Sequence, residues 1–273
     1  MQFKHVPHGV ASVTLKDLSI IADRLVPPKP GITLLIYHRV GRGSSSAVDL
    51  STDRFEAQLE HLAIHHRVIR LGNALEELSS SSVEPAVVLT FDDGTADFAE
   101  HAMPLLAKYG TPATLYLATA FVDGALPWFD GSCAISRAAL QDTVASGWVD
   151  VGSHTHRHSL LDRLPPRELA DELDRSIDLI GEWLGITALD FAYPKAVAPS
   201  SAADRAVRER FRSAALATPG PNRYGQDFFA LNRTPIQTSD RQRHLSAKFV
   251  GGMRMEGALR ASTNRVRYRR QLV

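Results

Sequence analysis

The run of apolar and β-branched residues at 87–91 constrains the fold of this chain more than any other stretch. It reads Val-Val-Leu-Thr-Phe and is followed directly by Asp92, Asp93 and Gly94. A continuous apolar run of this length is typical of a strand covered on both faces, as in a parallel sheet. The chemistry of α/β proteins collects at the carboxyl ends of such strands. We therefore expect both aspartates at the mouth of a sheet or barrel, with side chains that point in opposite directions.

Short apolar segments alternate with helical patterns along most of the chain. Further strand-like segments occur at residues 32–37, 113–117, 148–153, 189–193, 213–217 and 231–236. Apolar residues recur at helical spacing between them, and glycine or proline marks several helix ends. This alternation is typical of βα units, so we predict an α/β fold with one catalytic domain. We expect that domain at 32–240, after an N-terminal helix and Pro-rich connector at 1–31 and before a basic helical tail at 241–273.

The composition excludes several classes of protein. Lys and Arg number 31 and Asp and Glu number 30, and this balance gives no reason to expect nucleic acid as a partner. The chain has one cysteine, so no internal disulfide can form. It shows no secretory signal at its N-terminus and no run of the ~18 apolar residues that a membrane span needs. We therefore expect a cytoplasmic protein without an integral membrane segment, and the sequence leaves its oligomeric state open.

Residues that bind metals follow two of the predicted strands. His38 follows the first strand, and His154, His156 and His158 follow the strand at 148–153. One carboxylate and two imidazoles with an open position suit a catalytic zinc or a similar divalent ion. His154 and His158 are four residues apart and can reach one ion from a turn, whereas His156 is the competing ligand. The same set serves non-haem Fe(II) oxygenases, but a second, unbound aspartate favours hydrolysis because it can deprotonate a water.

Three ordered motifs follow predicted strands. They are Thr-Phe-Asp-Asp-Gly at 90–94, Ser-His-Thr-His-Arg-His at 153–158 and Phe-Ala-Tyr-Pro at 191–194. Together they resemble the motifs of the polysaccharide deacetylases, carbohydrate esterase family 4, over roughly residues 32 to 240. The resemblance implies a distorted (β/α)7 barrel. It also implies a hydrolase that removes the N-acetyl group from an amino-sugar substrate, which is an N-acetylated sugar or glycan.

The resemblance also implies a role for each motif residue. Asp92 corresponds to the general base, and Asp93, His154 and His158 correspond to the ligands of a divalent metal. Zinc is our first expectation for that metal, with cobalt, nickel and manganese as alternatives. The backbone N–H of Tyr193 corresponds to a group that helps to hold the oxyanion of the tetrahedral intermediate.

The chain departs from the family pattern at two places. Ala192 stands where the family often has an arginine that orients the base, and the late segment at 231–236 lacks the histidine that often acts as general acid. An early segment, Leu-Ile-Tyr-His at 35–38, resembles the biofilm poly-N-acetylglucosamine deacetylases, whose late motifs are moved to the front of the domain. We therefore predict that His38 protonates the leaving amine, with His244 as a weaker candidate.

Two other functions are compatible with the sequence. One is hydrolysis of a non-sugar amide at the same metal site. Sugar sites usually offer flat aromatic faces, and Trp128 is the aromatic residue in an obvious loop. The other is a non-catalytic relative that binds a metal or a glycan, which Ala192 and the missing late histidine suggest. Within the first hypothesis, the substrate can be a polymer, an oligosaccharide, a nucleotide sugar or a natural-product intermediate.

Overall fold

The computed structural model describes residues 8–128 and 131–269 of the chain. The strands within these ranges are β1 (Ile32–Tyr37), β2 (Arg39–Val40), β3 (Asp49–Leu50), β4 (Ala86–Asp93), β5 (Ala113–Leu117), β6 (Val149–Ser153), β7 (Asp190–Ala192), β8 (Ser213–Ala215) and β9 (Arg233–Pro235). The α-helices are α1 (His8–Leu25), α2 (Thr52–His65), α3 (Leu71–Leu78), α4 (Met103–Lys108), α5 (Arg137–Ala145), α6 (Pro166–Leu184), α7 (Ser201–Arg208), α8 (Gln242–Phe249) and α9 (Arg254–Arg269).

One parallel sheet organises the molecule. Its strand order is β8-β7-β6-β5-β4-β1-β9, and β2 and β3 form a separate short pair. A parallel bridge between Ala215 and Leu231 joins β8 to the residues just before β9. The two ends of the sheet therefore meet, and the sheet nearly closes on itself as a barrel. This architecture confirms the predicted distorted (β/α)7 barrel with a single catalytic domain.

The unbroken apolar character of β4 follows from burial on both of its faces. Leu89 and Phe91 pack into the cluster between the barrel and its outer helices, whereas Val88 belongs to a second cluster. Phe91 stacks on Tyr37 of β1 at 5.2 Å and meets the ring of Phe55 from α2 edge-on at 5.7 Å. Because neither face is open to water, an alternating pattern would leave polar side chains buried. The central strand is therefore fixed on both sides at the point where the aspartates begin.

The first and the last two helices pack together beside the barrel. Lys16 of α1 forms an ion pair with Asp240, and Nζ of Lys248 on α8 is 2.7 Å from the same carboxylate. Glu256 of α9 completes this buried group. The boundaries that the sequence predicts near residues 31 and 240 stay predictions. The predicted basic tail ends in residues 270–273, which lie outside the described ranges.

Candidate active site

The carboxyl ends of β1, β4 and β6 meet at one cavity of about 330 Å³. His38 follows β1, Asp92 and Asp93 end β4, and His154 and His158 follow β6. All five side chains line the cavity. Parallel strands point the same way, so residues that are distant in the sequence meet at one mouth of the barrel. The structure thus brings together the five residues that the sequence analysis singled out as base, acid and metal ligands.

Asp93, His154 and His158 direct three ligand atoms at a common point. These atoms all lie within 4.8 Å of one another. Oδ1 of Asp93 is 3.5 Å from Nε2 of His158 and 3.9 Å from Nε2 of His154. The spacings are too long for direct hydrogen bonds, but they approach the roughly 3.4 Å between ligands of a tetrahedral ion with bonds of about 2.1 Å. Oδ1 of Asp93 is also buried without a hydrogen bond to any residue that the structure describes, so the set fits a divalent ion.

The tautomer of His154 is fixed by the neighbouring strand. Its Nδ1 lies 2.7 Å from the carbonyl oxygen of Ala192 and donates a hydrogen bond to it. The proton therefore sits on Nδ1, and Nε2 keeps the lone pair that faces Asp93. Burial lowers the pKa of His154, and burial lowers the pKa of His158 to about 4. Both imidazoles are consequently neutral near pH 7, which is the form that binds a metal.

The backbone at the ligands adopts the left-handed conformation, which side chains other than glycine rarely take. The φ angle is 82° at Asp93, 67° at Thr155 and 55° at His158. Gly94 follows at φ 86°, and a Cβ added there would lie 2.3 Å from Cδ1 of Leu117. Such conformations persist where the surrounding structure enforces them, and they concentrate at functional sites. The glycine of the Thr-Phe-Asp-Asp-Gly motif is therefore required both by its φ angle and by the close approach of β5.

Asp92 is held by an arginine to which the sequence analysis gave no role. Nη1 of Arg233 donates to Oδ1 of Asp92 at 2.6 Å, and Nη2 donates to Oδ2 at 3.0 Å. Both residues are buried. Burial alone would raise the pKa of Asp92, but the Arg233 guanidinium outweighs it and the pKa falls to about 2. Further hydrogen bonds to Thr90 Oγ1 and to the carbonyl of Leu216 fix the guanidinium. Asp92 is thus ionised and held in one orientation.

Arg233 reaches Asp92 from β9, on the far side of β1. Ala192 on β7 is fully buried in a cluster with Tyr116, and the Arg233 guanidinium lies 5.1 Å from the Tyr116 ring. Ala192 and Tyr116 thus belong to one apolar cluster, and the guanidinium of Arg233 lies beside the Tyr116 ring of that cluster. The sequence contains a signal for this pairing, because Arg233 lies in the segment predicted as a strand at 231–236, and an arginine that is buried in a strand is almost always paired.

The structure contradicts the predicted role of Tyr193. Its backbone N–H donates to the carbonyl of Ala215 at 3.0 Å and continues the ladder between β7 and β8. The N–H is therefore not available for an oxyanion. The Tyr193 side chain does line the cavity, and its ring meets Phe191 edge-on at 5.1 Å. A residue directly after a parallel strand commonly extends the ladder, and the motif alone did not reveal that Tyr193 does so.

Two of the alternative histidines do not line the cavity. Nδ1 of His156 lies 2.9 Å from Oγ1 of Thr119, so His156 is not part of the ligand set and does not compete with His158. Nε2 of the buried His244 on α8 lies 3.0 Å from Oδ1 of Asp17. Neither histidine is among the residues that line the cavity, so the weaker prediction of His244 as general acid was wrong.

Trp128 is not the open aromatic face that the sequence suggested. Its ring stacks on Phe121 at 3.9 Å with an interplanar angle of 9°, and only 6% of the residue is exposed. It meets the ring of His158 edge-on at 6.0 Å. The ring of Trp128 therefore packs against His158, which is one of the proposed metal ligands. The sequence analysis also missed Lys195, Gln237 and Arg260, which line the cavity.

Together, the fold and the site define a class: a parallel barrel with a carboxylate and two imidazoles at its mouth, beside an ionised aspartate. Residues 80–214 match the family model for polysaccharide deacetylase. The chain thus carries a polysaccharide deacetylase domain.

Individual proteins show the same likeness. The chain is 23% identical over 208 residues to "Putative polysaccharide deacetylase YxkH" of Bacillus subtilis, covering 75% of this chain and 71% of that protein. It superposes on the structure of IcaB from Ammonifex degensii with a TM-score of 0.69 and 25% identity, over 86% of this chain and 98% of that one. The Streptococcus pyogenes deacetylase PplD gives a TM-score of 0.71 at 21% identity, over 81% and 99%. The last comparison bears on the fold alone.

No helix in the described ranges is long and apolar enough to cross a membrane.

Proposed function

We propose that this protein is a metal-dependent hydrolase that removes the N-acetyl group from an amino-sugar substrate. One observation carries the proposal: Asp92, paired with Arg233, lies next to the metal-type ligand set. Oδ2 of Asp92 is 4.0 Å from Nε2 of His154. A carboxylate that binds no metal but stands beside the metal position is the group needed to activate water. The polysaccharide deacetylase domain at residues 80–214 supports the same reaction.

Each residue of the site has a separate role in the proposed reaction. A divalent ion held by Asp93, His154 and His158, zinc first, would supply a Lewis acid that activates water and polarises the acetyl carbonyl. Asp92 accepts the proton of the water as its oxygen attacks the carbonyl carbon. Arg233 keeps that carboxylate ionised and fixed before the proton arrives. The C–N bond then breaks, and acetate and the free amine are the products.

His38 is our proposed donor of the proton that the leaving amine needs. It directly follows β1, whose last residue Tyr37 pairs with Phe91 of β4, so His38 stands beside Asp92 across neighbouring strands. It lines the same cavity, and its Nδ1 is buried without a hydrogen bond to any residue described. A histidine in this position can give its proton to the nitrogen while the C–N bond breaks.

The two departures from the family pattern no longer favour a non-catalytic relative. Arg233 holds the base Asp92 in place, which is the role that the family often gives to an arginine at the position of Ala192. His38 lines the cavity although it lies early in the sequence. Hydrolysis of a non-sugar amide remains the alternative, since Trp128 offers no open aromatic face to a sugar. A comparison of acetate release from N-acetylglucosamine oligomers and from simple acetylated amines separates the two.

Acetate release from an N-acetylglucosamine tetramer, measured with added Zn²⁺, Co²⁺, Ni²⁺ or Mn²⁺, tests the proposal. We expect Asp92→Asn to lower kcat by about 10²–10⁴-fold while bound metal is retained. We expect Asp93→Asn to lose the metal, and His38→Gln to lower kcat at unchanged metal content. Full activity of Asp92→Asn would remove that residue from the mechanism.

A matched control is available on β6. Asp150 is an exposed aspartate whose partner is Arg70, and it does not line the cavity. Asp150→Asn should keep both activity and metal. If it loses them as Asp93→Asn does, the effect of Asp93→Asn does not report on a metal ligand. Lack of acetate release from every acetylated sugar, in protein that holds its metal, would refute the sugar assignment.

A further inference from the structure

Three histidines at the C-terminal end of α2 take no part in the proposed reaction. His61 and His65 lie four residues apart on this helix, and His66 directly follows its last residue. None of the three lines the cavity. We propose that His61 and His65 bind a second divalent metal ion of the kind that prefers imidazole ligands, such as Ni²⁺ or Cu²⁺. Binding at this pair does not depend on the proposed function, because neither residue belongs to the site at the barrel mouth.

The two rings are arranged like those of the histidines at the barrel mouth. The ring centroids of His61 and His65 are 4.6 Å apart, and the ring planes are inclined by 51°. For His154 and His158, the corresponding values are 4.9 Å and 53°. Two nitrogens that bind one ion at about 2.1 Å lie roughly 3.4 Å apart, which requires rings that are close neighbours. The pair on α2 thus has the ring separation and inclination of a pair to which we assign a metal.

The spacing along α2 explains why the rings meet. Residues four apart lie one turn apart on the same face of a helix, so their side chains are neighbours. Helices that bind zinc through the H-E-x-x-H motif use two histidines at this same spacing. The rotation of α2 about its axis is fixed, because its residues Phe55, Leu59 and Leu62 are fully buried in the core. The face that carries His61 and His65 therefore remains accessible to solvent.

Phe249 on α8 packs against one of the two rings. Its ring centroid is 5.7 Å from that of His61, and Phe249 is itself buried. His61 is half-buried, whereas His65 is exposed. One ligand is thus restrained by packing before the ion arrives, and the other can turn towards the ion. Binding then orders one free side chain and not two, which lowers its entropic cost.

The electrostatics of this region favour the form of histidine that binds a metal. Burial, and to a smaller extent the neighbouring His65, lower the pKa of His61. A neutral imidazole near pH 7 keeps the lone pair that a metal needs. The last turn of a helix also carries carbonyl groups without partners in the helix, and their partial negative charge attracts a cation. An ion at the end of α2 benefits from both effects.

His66 is not assigned to the ion. Its ring centroid is 5.7 Å from that of His61, which is farther than the rings within either pair. Water would fill the remaining positions of the ion, and the site lacks the carboxylate that Asp93 provides at the barrel mouth. Two neutral ligands bind a cation more weakly than two such ligands with a carboxylate. We therefore expect the α2 site to fill at higher metal concentration than the barrel site, and Mn²⁺, which prefers oxygen ligands, to leave it empty.

Calorimetric titration of the metal-free protein with Ni²⁺, in a form without a histidine tag, tests the inference. We expect a tightly bound ion at the barrel mouth and a second, weaker ion on α2. The Asp93→Asn variant should lose the tight ion and retain the weaker one. The His65→Asn variant should do the reverse, and its acetate release should match that of the unchanged protein. Titration with Mn²⁺ should show the tight ion alone.

Other histidines provide the controls. His61→Asn should also lose the weaker ion, whereas His66→Asn, one residue beyond the pair, should keep it. His101 is half-buried on another helical segment, and His101→Asn should keep the ion too. Because His65 is exposed, its substitution leaves the packing of α2 intact, so a lost ion does not report on misfolding. A weaker ion that survives both His61→Asn and His65→Asn, that is lost in His66→Asn, or that is absent from Asp93→Asn would overturn the inference.

Discussion

Substitution of Arg233 by methionine is the sharpest test of how the site is built. The variant leaves Asp92 buried and removes the guanidinium that contacts both of its oxygens, at 2.6 and 3.0 Å. Methionine approximates the length of the side chain without its charge, so the change isolates the electrostatic contribution. We expect a large loss of folding stability, because an uncompensated carboxylate then remains inside the barrel.

Two independent routes give the magnitude. The pKa of Asp92 lies at about 2, against an ordinary value of 3.8. At 1.36 kcal/mol per pKa unit, this difference corresponds to roughly 2 kcal/mol of stability near pH 7. Burial opposes the lowering, so the guanidinium contributes more than this net value. Removal of one partner from a buried ion pair typically costs about 3–5 kcal/mol. We therefore expect Arg233→Met to lower the free energy of unfolding by about 3–5 kcal/mol at pH 7.

The pH dependence has a definite sign. In the wild-type protein the folded pKa of Asp92 is below the unfolded value, so its contribution is complete above pH 4 and is lost as the pH falls towards 2. In Arg233→Met, burial acts without the guanidinium and raises the pKa of this carboxyl above its unfolded value. The variant then loses stability as the pH rises through that raised pKa. The difference between the two proteins should therefore shrink as the pH falls from 7 to 4.

Urea unfolding of the metal-free proteins at pH 7, 5.5 and 4 measures this difference. The matched control is Arg67→Met, because Arg67 also forms two hydrogen bonds with one carboxylate, that of Glu77, at 2.7 and 2.6 Å. That pair is about one third exposed and should contribute no more than about 1 kcal/mol. A loss below 1 kcal/mol for Arg233→Met, or a loss that does not change with pH, would refute the argument for the buried pair.

Three further predictions concern the rest of the structure. Asp240→Asn should lower the free energy of unfolding by about 3–5 kcal/mol in urea denaturation, because Lys16 and Lys248 then keep a single shared carboxylate partner; an effect below 1 kcal/mol would contradict the buried network. Gly94→Ala should lower it by about 1–3 kcal/mol because of its φ of 86° and the close leucine side chain, and an unchanged melting temperature would show that the turn relaxes freely. Zn²⁺ at 100 times its Kd should stabilise the protein by about 2.7 kcal/mol, an effect that Asp93→Asn should abolish.

Local patterns were sufficient to predict the barrel and most of its mouth. The strand at 87–91 is unbroken in its apolar character because both faces are buried, and the same reasoning placed Asp92 and Asp93 at its carboxyl end. The histidines after β6 follow from the same rule. Strand ends were less certain: the segment predicted at 189–193 is shorter in the structure, where β7 spans Asp190–Ala192. These features depend on residues close in sequence or on the general direction of parallel strands.

Contacts between distant strands could not be predicted in this way. The pairing of Arg233 with Asp92 joins residues 141 positions apart and depends on β9 lying beside β1. The hydrogen bond from Tyr193 to Ala215 depends on the register between β7 and β8, which no motif records. The entry of Arg260 into the cavity depends on how α9 packs against the barrel. In each case the sequence supplies the side chain, and long-range packing decides its neighbour.

The strand order explains how the two departures from the family pattern are accommodated. β1 lies between β4 and β9, so three adjacent strands provide His38, Asp92 and Arg233 although they come from the front, the middle and the end of the domain. A nearly closed barrel has no fixed first strand, so the position of a motif along the chain does not limit its position around the mouth. It follows that the site depends on the pairing of β1 with β9, where Ile36 is opposite Pro235. Loosening of that pairing would move the acid and the partner of the base together, and the metal ligands on β4 and β6 would stay in place.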